Sequence, residues 1–144
     1  MTLADEQATE ELGRRIADVL SAGDVITLSG ALGVGKTALA RGILAALGHE
    51  GEVPSPSFAI IQPYDELALP VWHVDLFRIE DVGELEELGL EAAADGVLLV
   101  EWPEKAGAGA WPNALGLTLE FAEGGARRLT AKVPASWQSR WPPR

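Results

Sequence analysis

Residues 30 to 37 read Gly30-Ala31-Leu32-Gly33-Val34-Gly35-Lys36-Thr37 and match the phosphate-binding loop pattern Gly-x-x-x-x-Gly-Lys-Ser/Thr. An apolar run at residues 25–28 comes directly before this loop and predicts a buried strand. Good helix formers fill residues 36–47 directly after it. A strand, this loop and a helix in that order form a phosphate-binding unit, so we expect the chain to bind a nucleotide.

The predicted loop binds phosphate mainly through its backbone. Glycine allows positive φ angles and lets N–H groups approach an anion closely, and the helix that follows presents its positive end to the phosphates. We expect Lys36 to reach the β- and γ-phosphates and the Thr37 hydroxyl to ligate Mg²⁺. The predicted nucleotide-contacting residues of this segment are Gly30, Gly33, Val34, Gly35, Lys36, Thr37 and Ala38.

Length and composition limit the organisation of the protein. A chain of 144 residues is long enough for one domain with a buried core, which we place at residues 1–134 with a tail at 135–144. The chain has no cysteine, so disulfides, thiolate metal sites and a cysteine nucleophile are excluded. Its first residues resemble no signal peptide, and no apolar stretch approaches the length of a membrane span. We therefore expect a cytoplasmic protein without a membrane partner.

The chain is strongly acidic, with 22 acidic against 11 basic residues and a net charge of −11. A protein that binds nucleic acid strongly by itself needs a basic face, so no strong direct nucleic-acid binding is expected. Acidic residues concentrate at residues 5–11 and 81–91. They indicate solvated helix faces or, alternatively, a docking surface for a basic partner.

The hydrophobic pattern along the chain alternates between helix and strand. A helical period over residues 8–20 predicts a first helix that stops at Gly23, and residues 50–57 predict a loop. Leu85 and Leu88 indicate a short acidic helix. Strands are predicted at residues 25–28, 58–62, 71–76 and 97–100, with a terminal hairpin of alternating residues at 115–121 and 129–133. The fold class is α/β, a three-layer sandwich of the phosphate-loop type whose mixed sheet has a parallel core and antiparallel hairpin additions.

Two acidic residues end predicted strands. Glu101 follows the apolar run 97–100, which has the composition of a central parallel strand, and Asp75 ends the strand at 71–76 in the same manner. In phosphate-loop proteins, a carboxylate at the carboxyl end of such a strand lies beside the loop and holds Mg²⁺ directly or through water. Glu101 is the first candidate for this role and Asp75 the second.

Five segments in this order and spacing resemble the TsaE (YjeE) family. They are the loop at residues 30–37, Ser55-Pro56-Ser57-Phe58, His73-Val74-Asp75-Leu76-Phe77-Arg78, Leu88-Gly89 and Val100-Glu101-Trp102-Pro103-Glu104. The resemblance implies a small bacterial ATPase that uses ATP and Mg²⁺ and works with the TsaB and TsaD proteins to make threonylcarbamoyl-adenosine in tRNA. It further implies that TsaD carries out the transfer, while the ATPase keeps the complex turning over.

The resemblance also implies roles for individual residues. Ser57 matches a threonine of a switch-like loop that can sense the γ-phosphate, and Thr9 matches a position near the adenine. Arg78 and Arg128 are candidate phosphate or adenine contacts. The implied catalytic residues are Lys36, Glu101, Asp75 and Ser57, and the implied metal ligands are Thr37, Glu101 and Asp75. The chain departs from the family at Ala31, where an acid is usual, and at Phe77, where tyrosine is common.

Three other classes of nucleotide-binding protein also contain a phosphate loop. A regulatory GTPase needs an Asn-Lys-x-Asp guanine reader, but the only asparagine, Asn113, is followed by Ala114, which excludes that class. A small-molecule kinase with a phosphate loop is the main alternative. Such kinases usually carry an arginine-rich lid and a substrate pocket, whereas this chain has few arginines between Lys36 and Arg127. A non-catalytic binding module gated by nucleotide is the third. Turnover measured with and without partners separates these three.

Overall fold

The computed structural model describes residues 1–54, 61–81, 83–84, 89–90, 95–107 and 109–143. Within these residues, seven strands and two α-helices form the fold, together with short 3₁₀ turns at Pro103–Ala106, Glu123–Gly125 and Ala135–Trp137. The elements are β1 Thr2–Leu3, α1 Glu6–Ala17, β2 Val25–Ser29, α2 Lys36–Ala46, β3 Ile61–Tyr64, β4 Val71–Asp75, β5 Val97–Glu101, β6 Leu115–Phe121 and β7 Arg127–Lys132.

The strands form one mixed sheet in the order β1-β7-β6-β2-β5-β4-β3. The β2 strand is parallel to both β5 and β6, and β4 is parallel to β5. Antiparallel strands extend both sides of this core, with β3 on β4, β7 on β6 and β1 on β7. This topology confirms the predicted α/β fold with a parallel core and an antiparallel terminal hairpin.

The β5 strand separates two apolar clusters. Val97 and Leu99 pack with residues of α1 and α2, whereas Leu98 and Val100 pack in a second cluster that includes Trp111. Successive residues of a strand point to opposite faces, so the sheet is covered on both sides and β5 is buried on both, as predicted. Glu101, at the carboxyl end of β5, therefore lies in a site that is enclosed by protein.

The backbones of the two helices lie in close contact where α1 and α2 cross. A Cβ placed on Gly42 of α2 would collide with the carbonyl oxygen of Glu10, and one on Gly13 of α1 would collide with that of Leu39. Glycine at both positions allows this close crossing. The α1 helix is amphipathic, and Asp5 caps it by accepting a hydrogen bond of 2.8 Å from the Ala8 N–H. The crossing holds the amino end of α1 beside the start of α2.

Two predictions of element boundaries were wrong. The first helix ends at Ala17 and not at Gly23, because Val19 and Leu20 continue the apolar pattern in turns whose N–H groups bond to Ile16 and Ala17. The chain begins with β1, a strand too short to leave a sequence pattern, ahead of the helix that was expected first. The predicted strand residues 58–60 and the acidic helix at Leu85 and Leu88 lie outside the described residues.

Residues that the sequence analysis set apart as a tail pack against the sheet and helices. Trp137 is 1% exposed and belongs to the cluster under the helices. Arg140 forms an ion pair of 2.6 Å with Asp24, and its guanidinium lies 3.8 Å from the centre of the Trp137 ring. Among the described residues, no helix is both long and apolar enough to cross a membrane.

Candidate functional site

The loop between β2 and α2 has the backbone that the sequence predicts. Gly30, Gly33 and Gly35 have φ angles of +144°, +77° and +119°, in the region that favours glycine. A Cβ on Gly30 would also collide with the carbonyl oxygen of Leu119 on β6. The α2 helix begins after Gly35 without a side-chain cap, so its first N–H groups remain to bind an anion.

A pocket of about 320 Å³ lies over this loop. It brings together seven of the predicted residues, although they come from three separate parts of the chain. They are Gly33, Gly35, Lys36, Thr37, Ala38, Asp75 and Glu101. Gly30 and Val34 lie in the same loop, and Leu32, Phe77 and Trp102 form an apolar part of the lining. The volume is at the lower end of the usual range for ligand pockets.

Lys36 is 5% exposed although its side chain carries an ammonium group. Its Nζ donates to the carbonyl oxygens of Gly30 and, at 3.3 Å, Ala31, and lies 4.0 Å from the centre of the Trp102 ring. Burial lowers the pKa of Lys36, while the nearby carboxylates act in the opposite direction. The ammonium is thus held, largely without water, among groups that a phosphate oxygen can replace.

Glu101 lies at the centre of a buried polar contact. Its Oε2 is 3.5 Å from the Thr37 hydroxyl oxygen and 2.6 Å from Nε2 of His73. Glu101 is 3% exposed and His73 is fully buried. Parallel pairing brings the carboxyl ends of β2, β4 and β5 together around Glu101, because Leu28 of β2 and Asp75 of β4 are both its register partners.

Asp75 is the second buried carboxylate at the strand ends. Its Oδ1 accepts a hydrogen bond of 2.8 Å from the N–H of Phe77. Burial raises the pKa of Asp75, and the charge of Glu101 acts in the same direction, against the Phe77 N–H. Two acids at adjacent strand ends therefore share one pocket with one lysine, an arrangement that favours a divalent cation.

The donor set fits Mg²⁺, which prefers oxygen ligands and retains several waters. Thr37, Asp75 and Glu101 supply a hydroxyl and two carboxylates around one pocket. In the part of the chain that the structure describes, no group of three His, Cys, Asp or Glu side chains is arranged to hold a metal alone. Mg²⁺ at this position would therefore need phosphate oxygens as further ligands, as in other phosphate-loop sites.

Among the described residues, the predicted contacts Thr9, Arg78 and Arg128 do not line this pocket, and Arg78 is exposed in the turn after β4. Thr9 is buried on α1, donates a hydrogen bond to the carbonyl oxygen of Asp5 and packs near Gly35. Arg128 is exposed on β7, where it lines a separate depression with Thr2. Ser57 lies outside the described residues. The roles of Thr9, Arg78, Arg128 and Ser57 stay predictions.

Arg127, which sequence reasoning missed, contacts the phosphate loop. Its Nε donates a hydrogen bond of 2.8 Å to the carbonyl oxygen of Val34. Its guanidinium lies 4.7 Å from the centre of the Phe121 ring. The alternation of Leu129 and Ala131 along β7 places Arg127 on their face, and Arg128 on the other. That alternation was visible in the sequence and would have favoured Arg127 over Arg128.

Glu6 and Arg41 also line the pocket without having been predicted. Arg41 of α2 lies 2.7 Å from Glu10 and 3.3 Å from Glu6, both on α1. The hydrogen bond that Arg41 donates to Glu10 raises the pKa of Arg41. These two ion pairs connect α1 to α2 at the edge of the pocket, and the charge of Arg41 is paired there.

Trp102 has a positive φ of +59°, the only such angle outside glycine among the described residues. Its N–H donates to the carbonyl oxygen of Leu28 at 3.2 Å, and its ring lies 4.9 Å from that of Phe77. A bulky residue in this conformation is strained, and such strain concentrates at functional sites. This backbone conformation places the indole of Trp102, the residue that follows Glu101 in the sequence, over Lys36.

Comparison with known proteins is consistent with this geometry. The family model "Threonylcarbamoyl adenosine biosynthesis protein TsaE" matches residues 3–129. A relative from Streptomyces coelicolor, named tRNA threonylcarbamoyladenosine biosynthesis protein TsaE, is 46% identical over 65% of this chain and 66% of its own length. One from Haemophilus influenzae, with the same name, is 35% identical over 78% of this chain and 75% of its own.

A solved structure has the same fold. The crystal structure of YdiB from Bacillus subtilis superposes with a TM-score of 0.80 and 27% identity, covering 96% of this chain and 87% of that one. The chain spans about two thirds of the length of the Streptomyces relative. The family match covers the phosphate loop, both carboxylates and the strands that place them. The chain belongs to the TsaE family of threonylcarbamoyl adenosine biosynthesis proteins.

Proposed function

We propose that this chain is a slow Mg²⁺-dependent ATPase that acts with TsaB and TsaD proteins in the threonylcarbamoylation of adenosine in tRNA. The observation that carries the proposal is the convergence of Lys36, Thr37, Asp75 and Glu101 on one pocket over the phosphate loop. The names of the relatives supply the pathway, and the resemblance supplies the partners. The chain would work in the cytoplasm and leave the transfer chemistry to TsaD.

The reaction transfers the γ-phosphoryl group of ATP to water and releases ADP and phosphate. The loop N–H groups and the start of α2 bind the phosphates, and Lys36 neutralises charge on the β- and γ-phosphate oxygens. Thr37 would bind Mg²⁺, and Glu101 and Asp75 would hold it directly or through water. The ion supplies charge stabilisation to the oxygens that become more negative in the transition state.

One feature of the described part of the site supports slow turnover without partners. Arginine side chains supplied to the transferring phosphoryl group accelerate such reactions by about 10³ to 10⁵. Among the described residues that line the pocket, Arg41 is the one arginine, and Glu6 and Glu10 both pair with it. A partner protein would therefore complete the site, either with its own cation or by reordering residues of this chain.

One experiment tests activity, partners and pathway together. The purified chain is mixed with ATP and Mg²⁺, alone and with TsaB and TsaD from the same source, and phosphate release is followed. We expect slow release from the chain alone and a clear acceleration by the complex. Equal rates in both conditions would contradict partner completion, and transfer of phosphate to a small-molecule acceptor would support the kinase alternative.

A further inference from the structure

His73 is a fully buried residue that the proposed hydrolysis mechanism does not use. It lies in the middle of β4, two residues before Asp75, so both side chains project from the same face of the strand. Its Nε2 is 2.6 Å from Oε2 of Glu101. Its Nδ1 is buried and has no hydrogen-bond partner among the residues that the structure describes. The imidazole therefore makes one short polar contact, and that contact is to a residue of the site.

The surroundings of the two ring nitrogens indicate which of them carries the proton. A proton on Nδ1 would leave a buried N–H without a partner and would turn the lone pair of Nε2 against the carboxylate. A proton on Nε2 instead donates to Glu101 and leaves only a lone pair at Nδ1. His73 thus acts as an Nε2–H donor toward the carboxylate.

Within the described residues, this hydrogen bond is the shorter of two contacts of the Glu101 Oε2 atom. The other contact of Oε2, with the Thr37 hydroxyl at 3.5 Å, is too long to orient a carboxylate firmly. A donor at 2.6 Å to a charged oxygen is short and strong for its type. We propose that His73 is a positioning residue, which holds the Glu101 carboxylate toward Thr37 and the metal position while contacting neither nucleotide nor metal. The proposal rests on the Mg²⁺-dependent function proposed above.

Two substitutions separate positioning from packing. Glutamine can place an amide N–H near the position of Nε2, whereas asparagine places it near Nδ1, too far from Glu101. We expect His73→Asn to lower kcat for ATP by about tenfold to a hundredfold, as loss of groups that orient metal ligands does, and to raise KM by a smaller factor. His73→Gln should recover most of the rate. Equal losses in the two variants, or a loss confined to KM, would overturn the proposal.

A binding measurement tests the same idea without turnover. Calorimetry compares ADP affinity with and without Mg²⁺ in the unsubstituted protein and in both variants. We expect Mg²⁺ to strengthen ADP binding less in His73→Asn than in His73→Gln, while affinity for ADP alone stays the same. Thermal unfolding of each variant checks that the fold is intact. A fall in metal-free ADP affinity equal to the loss with Mg²⁺ would identify a structural role instead.

The tautomer itself is measurable in the unsubstituted protein. The chain has only two histidines, so ¹⁵N–¹H imidazole spectra distinguish His73 from His49. We expect an Nε2–H tautomer whose proton is slow to exchange and shifts upfield in Glu101→Gln, because a neutral amide oxygen is a weaker acceptor. An Nδ1–H tautomer would overturn the proposal. These spectra decide the question even if the protein releases no phosphate, a result that would instead contradict the proposed ATPase.

Discussion

Lys36 combines a charged group with near-complete burial, at the point where the phosphates are expected. We predict that Lys36→Ala weakens ATP binding by roughly tenfold to a hundredfold, because a charge-assisted contact contributes about 1.5–3 kcal/mol. Lys105→Ala, which removes an exposed lysine from the nearby 3₁₀ turn, is the matched control and should bind normally. Calorimetry with a non-hydrolysable ATP analogue makes the comparison. Unchanged affinity in Lys36→Ala would remove this residue from the site.

Glu101 has a different role from Lys36, since its carboxylate would act on charge that develops during the reaction. Glu101→Gln keeps the shape of the side chain and still accepts from His73, but it removes the charge. We predict that kcat falls by a larger factor than ATP affinity does. Phosphate release and calorimetry on the same sample measure both. Equal losses would assign Glu101 to uniform binding or to folding.

Asp75 should make folding stability depend on pH. Because burial raises the pKa of Asp75, the folded state binds its proton more tightly than the unfolded state does. The charged carboxylate therefore costs stability as pH rises from the ordinary pKa of about 3.9 through the raised value. Asp75→Asn retains an acceptor for the Phe77 N–H and removes the charge.

We therefore predict that Asp75→Asn raises the unfolding temperature at pH 7 and that this gain disappears near pH 4. Thermal unfolding without nucleotide tests both points. Asp65→Asn, a substitution in the exposed turn between β3 and β4, serves as the control. A lower unfolding temperature at pH 7 would show that the Asp75 charge stabilises the fold, contrary to the expected sign. The same variant should hydrolyse ATP more slowly, so stability and activity would change in opposite directions.

At the scale of elements, β7 supports the phosphate loop from the side through Arg127. Arg127→Gln removes the charge-assisted hydrogen bond to the Val34 carbonyl oxygen, which is worth about 1.5–3 kcal/mol. Because this bond is only partly buried and supports the loop without touching the nucleotide, a part of that energy should appear in ATP affinity. We predict a loss of ATP affinity of about twofold to tenfold. The adjacent Arg128→Gln should have a smaller effect, because Arg128 lies on the other face of the strand. A larger loss in Arg128→Gln would favour the adenine contact implied by the family resemblance.

Local patterns allowed much of the site to be predicted. A motif marks the phosphate loop, and a predicted strand that ends in an acid marks Asp75 and Glu101. The residues next to them in sequence are therefore sufficient to identify them. The contact between His73 and Glu101 depends on β4 lying beside β5, which no local pattern specifies. The end of α1 was misplaced because Val19 and Leu20 pack on the core after the helix has ended. Arg127 was missed because the alternation of β7 was not extended to its first residue.

At the scale of the whole molecule, the net charge of −11 favours a basic partner surface. We predict that the ATP-bound state docks on the partner complex through the phosphate-loop edge, residues 55–58 and acids of residues 81–91. A nucleotide shifts docking only by its different affinity for two states, and contact between Ser57 and the γ-phosphate would supply that difference.

Pull-down by TsaB and TsaD tests this docking. It should be stronger with a non-hydrolysable ATP analogue than with ADP, and it should weaken as salt is added, because salt screens surface charge. Ser57→Ala should remove the preference for the analogue while largely keeping ATP affinity. Identical capture with the analogue, with ADP and without nucleotide would contradict nucleotide-gated docking.

The position of β2 at the centre of the sheet determines when the site can form during protein synthesis. Both neighbours of β2 are made late, since β5 begins at Val97 and β6 at Leu115. At roughly 5–20 residues per second, the phosphate loop leaves the ribosome on the order of five to twenty seconds before Arg127 does. Meanwhile α1 and α2 can pair, but their apolar face has no sheet to cover. The nascent chain is therefore exposed to aggregation before it can bind nucleotide, and ATP cannot stabilise it until β5 and β6 have been made.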